Sequence, residues 1–301
     1  MLSDDFRRYM QLQQAVGYKY DTVAYTLRKF VVFAEARGDA FVQAERVVEW
    51  AATAASPGRR RTCLLTARRF ALAMRAEDNR HEVPPAEAFG RPPFIRHLPH
   101  LYSDQEIAQL IAATRKIRKP FVANMYATLF GLLAATGLRI SEALALKLED
   151  VTDDGLLIRQ TKFRKSRLVP LHDSSQQAVE SYIASRRRLS TADTSLFIGD
   201  SGKTPCYRAV LEVFDRLANA TGLRKAGRQP PRIHDFRHTF AVRSLEQCQN
   251  DRQSVSRHMI ALGTYLGHAG VTHTYWYLHA TSSLMEQIAA AGESLHDGGK
   301  P

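Results

Sequence analysis

Four side chains between residues 139 and 268 have the chemistry needed to hold a phosphate. They are Arg139, Arg237, His234 and His268. Arginine stays charged and presents a planar fork of donors that matches phosphate oxygens. Arg139 follows Gly137 and is predicted at the start of a helix, where the helix dipole also favours an anion. Arg237 stands three residues after His234, so both can lie on one helix face. Together they predict an electrostatic cradle for a phosphodiester.

Some of these residues also have an ordinary structural interpretation. Arg139 could form an i,i+3 surface ion pair with Glu142, which would need no ligand. His238 lies four residues after His234 and could suggest a metal pair on one helix face. No glutamate sits beside His234 as in the metalloprotease pattern, and no cysteine lies at ligand spacing. We therefore interpret His238 as a supporting residue.

Lysines and tyrosines elsewhere could supply a proton and a nucleophile. Apolar runs at 156–158 and 168–171 flank a polar stretch and predict a β-hairpin or small sheet edge. A lysine in its turn, Lys162 or Lys165, could reach a leaving oxygen. Tyr275 and Tyr277 would point about 200° apart on a helix, so only one can face a phosphate. A free phenol has a pKa of about 10, so attack needs a base or a strongly cationic site.

Five segments, taken together and in order, resemble the tyrosine recombinase (phage integrase) family. They are 136–144 (TGLRISEAL), 161–171 (TKFRKSRLVPL), 234–241 (HDFRHTFA), 266–268 (LGH) and 274–279 (TYWYLH). The resemblance covers roughly residues 100–290. The helical part before it resembles the family's core-binding domain only in size, helicity and position. The last two segments most resemble recombinases of transposons and integrative elements.

The resemblance implies roles for the candidate residues. Arg139 and Arg237 would bind the scissile phosphate. His234 and His268 would hydrogen-bond it and assist proton movement, with His234 preferred as the general base. The supporting residues would be Glu142 and His238.

The resemblance also selects among the remaining candidates. Lys162 is preferred over Lys165 as the acid, because the family places its catalytic lysine early in this turn. Lys165 is then a DNA contact. The spacing from Leu-Gly-His and the Tyr-x-His ending select Tyr277 over Tyr275 as the nucleophile.

The implied reaction is site-specific breakage and rejoining of duplex DNA through a 3′-phosphotyrosyl intermediate, for integration or excision of a mobile element. It needs no metal or other cofactor. Four strand cuts imply a homotetramer on synapsed DNA, alone or with other recombinases of the same element. An apolar stripe in a helix predicted near 281–291 could dock in cis or on a neighbouring protomer. A type IB-like topoisomerase, a catalytically idle DNA-binding regulator and a metal-dependent nuclease are alternatives.

The sequence pattern predicts a mainly α fold with a small β-sheet, whose elements must position these residues. Residues 1–82 predict a helical core-binding (DNA-binding) domain of four helices, the first capped by Ser3 or Asp4. Residues 83–100 contain five prolines and predict a linker. Residues 101–301 predict the mixed α/β catalytic domain, ending in a helix and a loose tail. A capping box of Ser103 and Glu106 would begin its first helix.

Composition fits a nucleic-acid partner. Lys plus Arg is 42 and Asp plus Glu is 30, giving a net charge of +12. No run approaches the ~18 apolar residues of a membrane span, and the acidic start argues against a secretory signal. Three distant cysteines favour a reducing cytoplasm, with the protein on the nucleoid. A cluster of arginines could follow a DNA backbone: Arg59, Arg60, Arg61, Arg68 and Arg69.

Overall fold

The computed structural model describes residues 1–18, 20–90, 98–159, 166–189, 191–224, 230–247 and 252–267. The chain divides into two compact units, Met1–Arg96 and His97–Pro301. The division falls inside the segment 83–100 that the sequence predicts as a linker. The predicted helix near 281–291 and the loose tail lie outside the described residues. None of the helices in the described ranges is both long and apolar enough to span a bilayer.

The described part of the first unit contains four helices. They are α1 (Leu2–Ala15), α2 (Asp21–Glu35), α3 (Ala44–Ala52) and α4 (Pro57–Glu77). Helix α4 begins where the sequence favours it. The Ser56 side chain accepts a hydrogen bond from the Arg59 N–H, and Pro57 occupies the first turn, where its missing donor costs nothing.

The start of α1 differs from the prediction. Met1 occupies the N-cap position, and neither Ser3 nor Asp4 caps the helix. Leu2 is fully buried, so the helix begins early enough to place this side chain in the core. The Ser3 N–H donates to Glu35 Oε1 (2.8 Å). Asp4 lies in the first turn, where its carboxylate interacts favourably with the helix dipole.

The core of the first unit is built from one apolar face of each helix. Leu27 and Phe30 of α2 and Leu64 and Phe70 of α4 are fully buried. Close packing of these side chains supplies most of the stability that four short helices need. The unit therefore has a core of its own.

The second unit carries the remaining helices of the described chain and a small sheet. The helices are α5 (Asp104–Ala113), α6 (Pro120–Thr136), α7 (Ile140–Ala145), α8 (Asp173–Arg186), α9 (Tyr207–Ala220), α10 (Asp235–Glu246) and α11 (Arg252–Leu266). Short 3₁₀ turns occupy Thr114–Lys116 and Leu148–Asp150. The predicted capping box before α5 is confirmed: Ser103 Oγ accepts from the Glu106 N–H, and Glu106 Oε2 accepts from the Ser103 N–H.

Helix α6 lies at the centre of this unit. It packs against α5, α8 and α10, which explains why its sequence is apolar on almost every side. Leu129, Phe130 and Leu133 are buried, and the Phe130 ring packs on those of Phe214 and Phe236. The end of α6 is consequently fixed relative to α10, and that end leads directly into the Arg139 segment.

A three-stranded antiparallel sheet follows α7. Its strands are β1 (Val151–Thr152), β2 (Gly155–Ile158) and β3 (Arg167–Val169). Ile158 pairs with Arg167, which confirms the predicted hairpin. Strand β1 is not among the predicted elements, because a two-residue strand is too short to show an alternating pattern. Lys162 and Lys165 fall in residues 160–165, outside the described residues.

Candidate active site

Gly137 has a left-handed backbone conformation and connects α6 to the segment that carries Arg139. Gly137 has φ 61° and ends α6. A Cβ atom there would lie 2.7 Å from the Phe240 ring of α10, and the Gly137 carbonyl accepts a hydrogen bond from Arg237 Nη1 (3.0 Å). Only glycine satisfies both the backbone angle and this close approach. The turn thus brings the chain before α7 against α10.

Arg139 occupies the N-cap position of α7, as the sequence predicts for the start of a helix. Its side chain is 31% exposed. Its Nη1 donates to Glu142 Oε1 (2.8 Å), and its backbone N–H donates to Glu142 Oε2 (3.0 Å). The ion pair weighed as an ordinary alternative therefore exists. It is not a simple surface pair, because the Glu142 side chain is only 9% exposed and has a second cationic partner.

The second partner of Glu142 is Arg167, the first residue of β3. Arg167 Nη2 donates to Glu142 Oε2 (2.8 Å), and Nη1 donates to Oε1 (3.2 Å). Burial by itself raises the pKa of Glu142. The hydrogen bonds and charges of Arg167 and Arg139 outweigh that effect and leave the pKa below its usual range. Glu142 is accordingly a carboxylate at neutral pH, held between two guanidinium groups.

Arg237 comes from the first turn of α10 and is 1% exposed. In addition to Gly137, its guanidinium reaches the end of α11, where Nη2 donates to the Leu266 carbonyl (2.6 Å). A buried guanidinium needs such partners to offset its lost hydration. Arg237 therefore joins the ends of α6 and α11. Because the side chain is buried, its guanidinium must become accessible on one edge before it can contact a phosphate.

Three guanidinium groups meet at the carboxyl end of α11. Arg167 Nε donates to the Tyr265 carbonyl (2.7 Å), and Arg139 contacts the carbonyls of Leu266 and Gly267 (both 3.4 Å). The last carbonyls of a helix have no partner within the helix and carry partial negative charge, so cations are favoured there. We call Arg139, Arg167 and Arg237 the arginine cluster.

The arginine cluster has the charge of an anion site. Arg139 and Arg167 share the carboxylate of Glu142, which leaves these two guanidinium groups a formal surplus of one positive charge. The carboxyl end of α11, together with the guanidinium groups that contact it, forms a corner that precedes His268 in the sequence. His268 and Tyr277 are outside the described residues, as are Lys162 and Lys165, so their predicted roles stay predictions.

The two histidines of α10 sit beside the cluster. His234 precedes the first residue of α10, His238 follows one turn later, and their rings contact edge to face with centroids 5.0 Å apart. Loss of hydration and the nearby Arg237 charge lower the pKa of His234. Loss of hydration and the charge of His234 lower the pKa of His238 to about 4. Both rings are neutral at pH 7, and a neutral imidazole can accept a proton.

The turn that carries His234 is fixed by Asp235, a residue that the sequence analysis did not select. Asp235 is 1% exposed and accepts hydrogen bonds from the Arg232 N–H and from Arg232 Nη2 (both 2.9 Å). Its carbonyl accepts from Thr239 Oγ1, which in turn accepts from the Tyr102 N–H. Arg167 was missed as well, although it lies in segment 161–171.

The five arginines predicted to contact DNA lie on or at the start of α4 in the first unit. Arg60 donates to the Ala54 carbonyl (2.9 Å), Arg61 to the Gly90 carbonyl (3.0 Å) and Arg68 to the Pro84 carbonyl. These three are half-buried and attach neighbouring loops to α4, whereas Arg59 and Arg69 are exposed. Exposure therefore favours Arg59 and Arg69 for phosphate contact. Among the residues the structure describes, no group of three or more His, Cys, Asp or Glu is placed to hold a metal ion.

Comparison with known proteins identifies the family of this chain. A sequence model described as the phage integrase family matches residues 101–283. The chain belongs to the phage integrase family. Integrase/recombinase y4rB of Sinorhizobium fredii is 35% identical over 299 residues, which cover 93% of both chains. Tyrosine recombinase XerC of Pseudomonas syringae pv. tomato is 29% identical over 72% of this chain and 67% of its own length.

A solved structure supports the fold of this phage integrase family member. The Tn1549 transposon integrase, in complex with transposon right end DNA, matches with a TM-score of 0.67, 18% identity and coverage of 97% of this chain and 99% of that one. Family membership makes the chain a tyrosine recombinase, an enzyme that cuts and rejoins DNA. The topoisomerase and the idle regulator are not supported by these comparisons.

Proposed function

We propose that this recombinase cuts DNA with Tyr277. The phenolic oxygen forms a bond to the scissile phosphorus while the bond to the 5′ oxygen breaks, which leaves a 3′-phosphotyrosyl link. The phenol proton passes to His234, and Lys162 protonates the leaving 5′ oxygen. A 5′-hydroxyl from a partner strand then attacks the link and reverses these transfers. The energy of the phosphodiester is kept in the covalent link, so no cofactor is required.

The observation that carries this proposal is the positive surplus of the arginine cluster beside a neutral histidine. Charge builds up on the nonbridging oxygens of a phosphodiester during attack, and fixed cations stabilise it without reorganisation. In this scheme Arg139 and Arg237 bind those oxygens, and His268 donates a further hydrogen bond. The lowered pKa of His234 keeps its ring neutral at pH 7, as a general base must be.

We propose double-stranded DNA as the partner, bound by both units. Exposed Arg59 and Arg69 would contact backbone phosphates, and so would Lys165, which lies between β2 and β3 in the sequence. Exchange between two duplexes needs four cuts and hence four protomers on synapsed DNA, alone or with other recombinases of the same element. The likeness to y4rB and to a transposon integrase favours integration or excision of a mobile element, with the protein acting in the cytoplasm on nucleoid DNA.

The test is covalent trapping on a nicked duplex, whose short cleaved end diffuses away and prevents rejoining. We expect wild type to form a protein–DNA adduct, Tyr277→Phe to form none, and Tyr275→Phe to form it at a rate within about threefold of wild type. Tyr275→Phe is the matched control, because it removes the same hydroxyl two residues away. Adduct from Tyr277→Phe, or its loss only in Tyr275→Phe, would overturn the assignment.

A further inference from the structure

We infer that Arg167 is a positioning residue of the recombinase, which orients Arg139 through Glu142 and fixes the corner that leads to His268. The inference rests on the proposed function, because it assumes that Arg139 binds the scissile phosphate. Arg167 itself does not need to touch DNA, and its side chain is only 12% exposed. Its effect is to hold the groups around Arg139 in place.

The contacts of Arg167 account for three of its donor groups. Nη1 and Nη2 each donate to one carboxylate oxygen of Glu142 and so form a two-pronged fork, and Nε donates to the Tyr265 carbonyl. These partners are 25 and 98 residues away in sequence. One planar side chain thus joins β3, α7 and the end of α11, a geometry that lysine cannot reproduce.

The fork on Glu142 decides how much positive charge Arg139 retains for a phosphate. Arg139 and Arg167 both donate to Oε1, so they share a single carboxylate. The three side chains carry a formal charge of +1. With Arg167 replaced by alanine, the charge falls to zero, and the whole carboxylate can turn onto Arg139. Arg139 would then be neutralised and drawn away from the phosphate position.

Arg167 also packs against Gly267 of the Leu-Gly-His segment. Gly267 has φ 65°, and a Cβ atom on it would lie 2.8 Å from Arg167 Nη1. The guanidinium therefore packs against the Gly267 backbone and supports its left-handed conformation. Misplacement of a reacting group by about 1 Å can cost on the order of 100-fold in rate. Loss of this support should slow the chemistry even where DNA binding is unchanged.

The experiment measures adduct formation on two nicked duplexes that differ only at the scissile phosphate. One has the natural phosphodiester, and the other has a methylphosphonate, in which an uncharged methyl replaces one nonbridging oxygen. The neutral group needs less cationic stabilisation, so a variant whose defect lies in Arg139 should lose less on it. The ratio of the two rates within one variant is independent of the fraction of protein that is folded.

We expect Arg167→Ala to react about 100-fold more slowly than wild type on the phosphodiester and less than about tenfold more slowly on the methylphosphonate. Arg167→Lys should differ from wild type in the same direction but by less, because it restores charge but not the fork. Arg159→Ala is the matched control: Arg159 directly follows β2 and pairs with Asp150. Its two rates should fall by equal factors or remain unchanged.

An equal loss on both substrates would mean that Arg167 does not act through the charge of Arg139 and would overturn the inference, as would no loss on either. If Arg167→Ala is too unstable to assay, the ratio of the two rates is measured for Arg167→Lys and Arg167→Gln instead. Failure of the proposed function is a separate outcome, since wild type would then form no adduct with the phosphodiester.

Discussion

Replacement of Glu142 by glutamine tests whether this carboxylate neutralises the arginine cluster. The variant keeps the size of the side chain and one acceptor oxygen but removes the negative charge between Arg139 and Arg167. At an effective dielectric constant near 20, a charge pair about 4 Å apart interacts by about 4 kcal/mol. The cost of burying the carboxylate offsets part of this gain, so we expect the free energy of unfolding to fall by about 2–4 kcal/mol.

For a unit of this size, 1 kcal/mol corresponds to about 2–4 °C, so the melting temperature of the second unit should fall by roughly 4–16 °C. Differential scanning calorimetry measures this shift. The matched control is Glu212→Gln, which removes the charge of an exposed i,i+4 ion pair with Arg208 and should cost less than about 1 kcal/mol. Similar shifts for the two variants would refute the account of Glu142 as a shared, buried counter-ion.

The ionisation of Glu142 makes the difference in stability between wild type and Glu142→Gln depend on pH. Its pKa is lower in the folded state than in the unfolded chain, so its ionisation stabilises the fold above the unfolded value. That stabilisation is lost as the pH falls through the folded pKa. The difference in stability between wild type and Glu142→Gln should therefore be constant near neutral pH and shrink in acid. A difference that grew on acidification would contradict the assigned direction.

Two further predictions concern α6 and α10. Gly137→Ala should lower the free energy of unfolding by about 2–4 kcal/mol, because it adds a clash with an aromatic ring to the strain of a positive φ; Gly222→Ala, with φ 70° and open space around it, should cost only about 1 kcal/mol in the same urea titration. His238 binds a proton less readily when folded, so stability should fall as the pH drops from the unfolded pKa of 6.5 towards about 4. Between pH 7 and pH 5 this loss is about 2 kcal/mol, and His238→Gln should remove it; an unchanged pH profile for that variant would refute the assignment.

The fold could be predicted to the extent that its signals are local. Ser103 and Glu106 form a capping box within four residues, and Ser56 and Pro57 mark a helix start by side-chain chemistry alone. The start of α1 could not be predicted in this way. Burial of Leu2, a tertiary effect, outweighed the capping preference of Ser3 and Asp4.

The site shows the same division between local and distant effects. The pairing of Arg139 with Glu142 follows from i,i+3 spacing, and the left-handed turn follows from Gly137. Arg167 had no such signal, because its partners lie far away in sequence and nothing local distinguishes it from the basic residues just before it. Burial of Arg237 was equally invisible, since it depends on backbone carbonyls that any residue could provide.

The order in which the corner at α11 can assemble follows from its sequence separations. Arg139 and Arg167 must reach carbonyls 127 and 98 residues further along the chain, whereas Arg237 reaches only 29. Closing such long loops is entropically costly and occurs late in folding. A chain still emerging from the ribosome lacks these carbonyls altogether, so its guanidinium groups repel one another and cannot form the corner. The arginine cluster therefore cannot take up its observed arrangement before the carboxyl end of α11 has been synthesised.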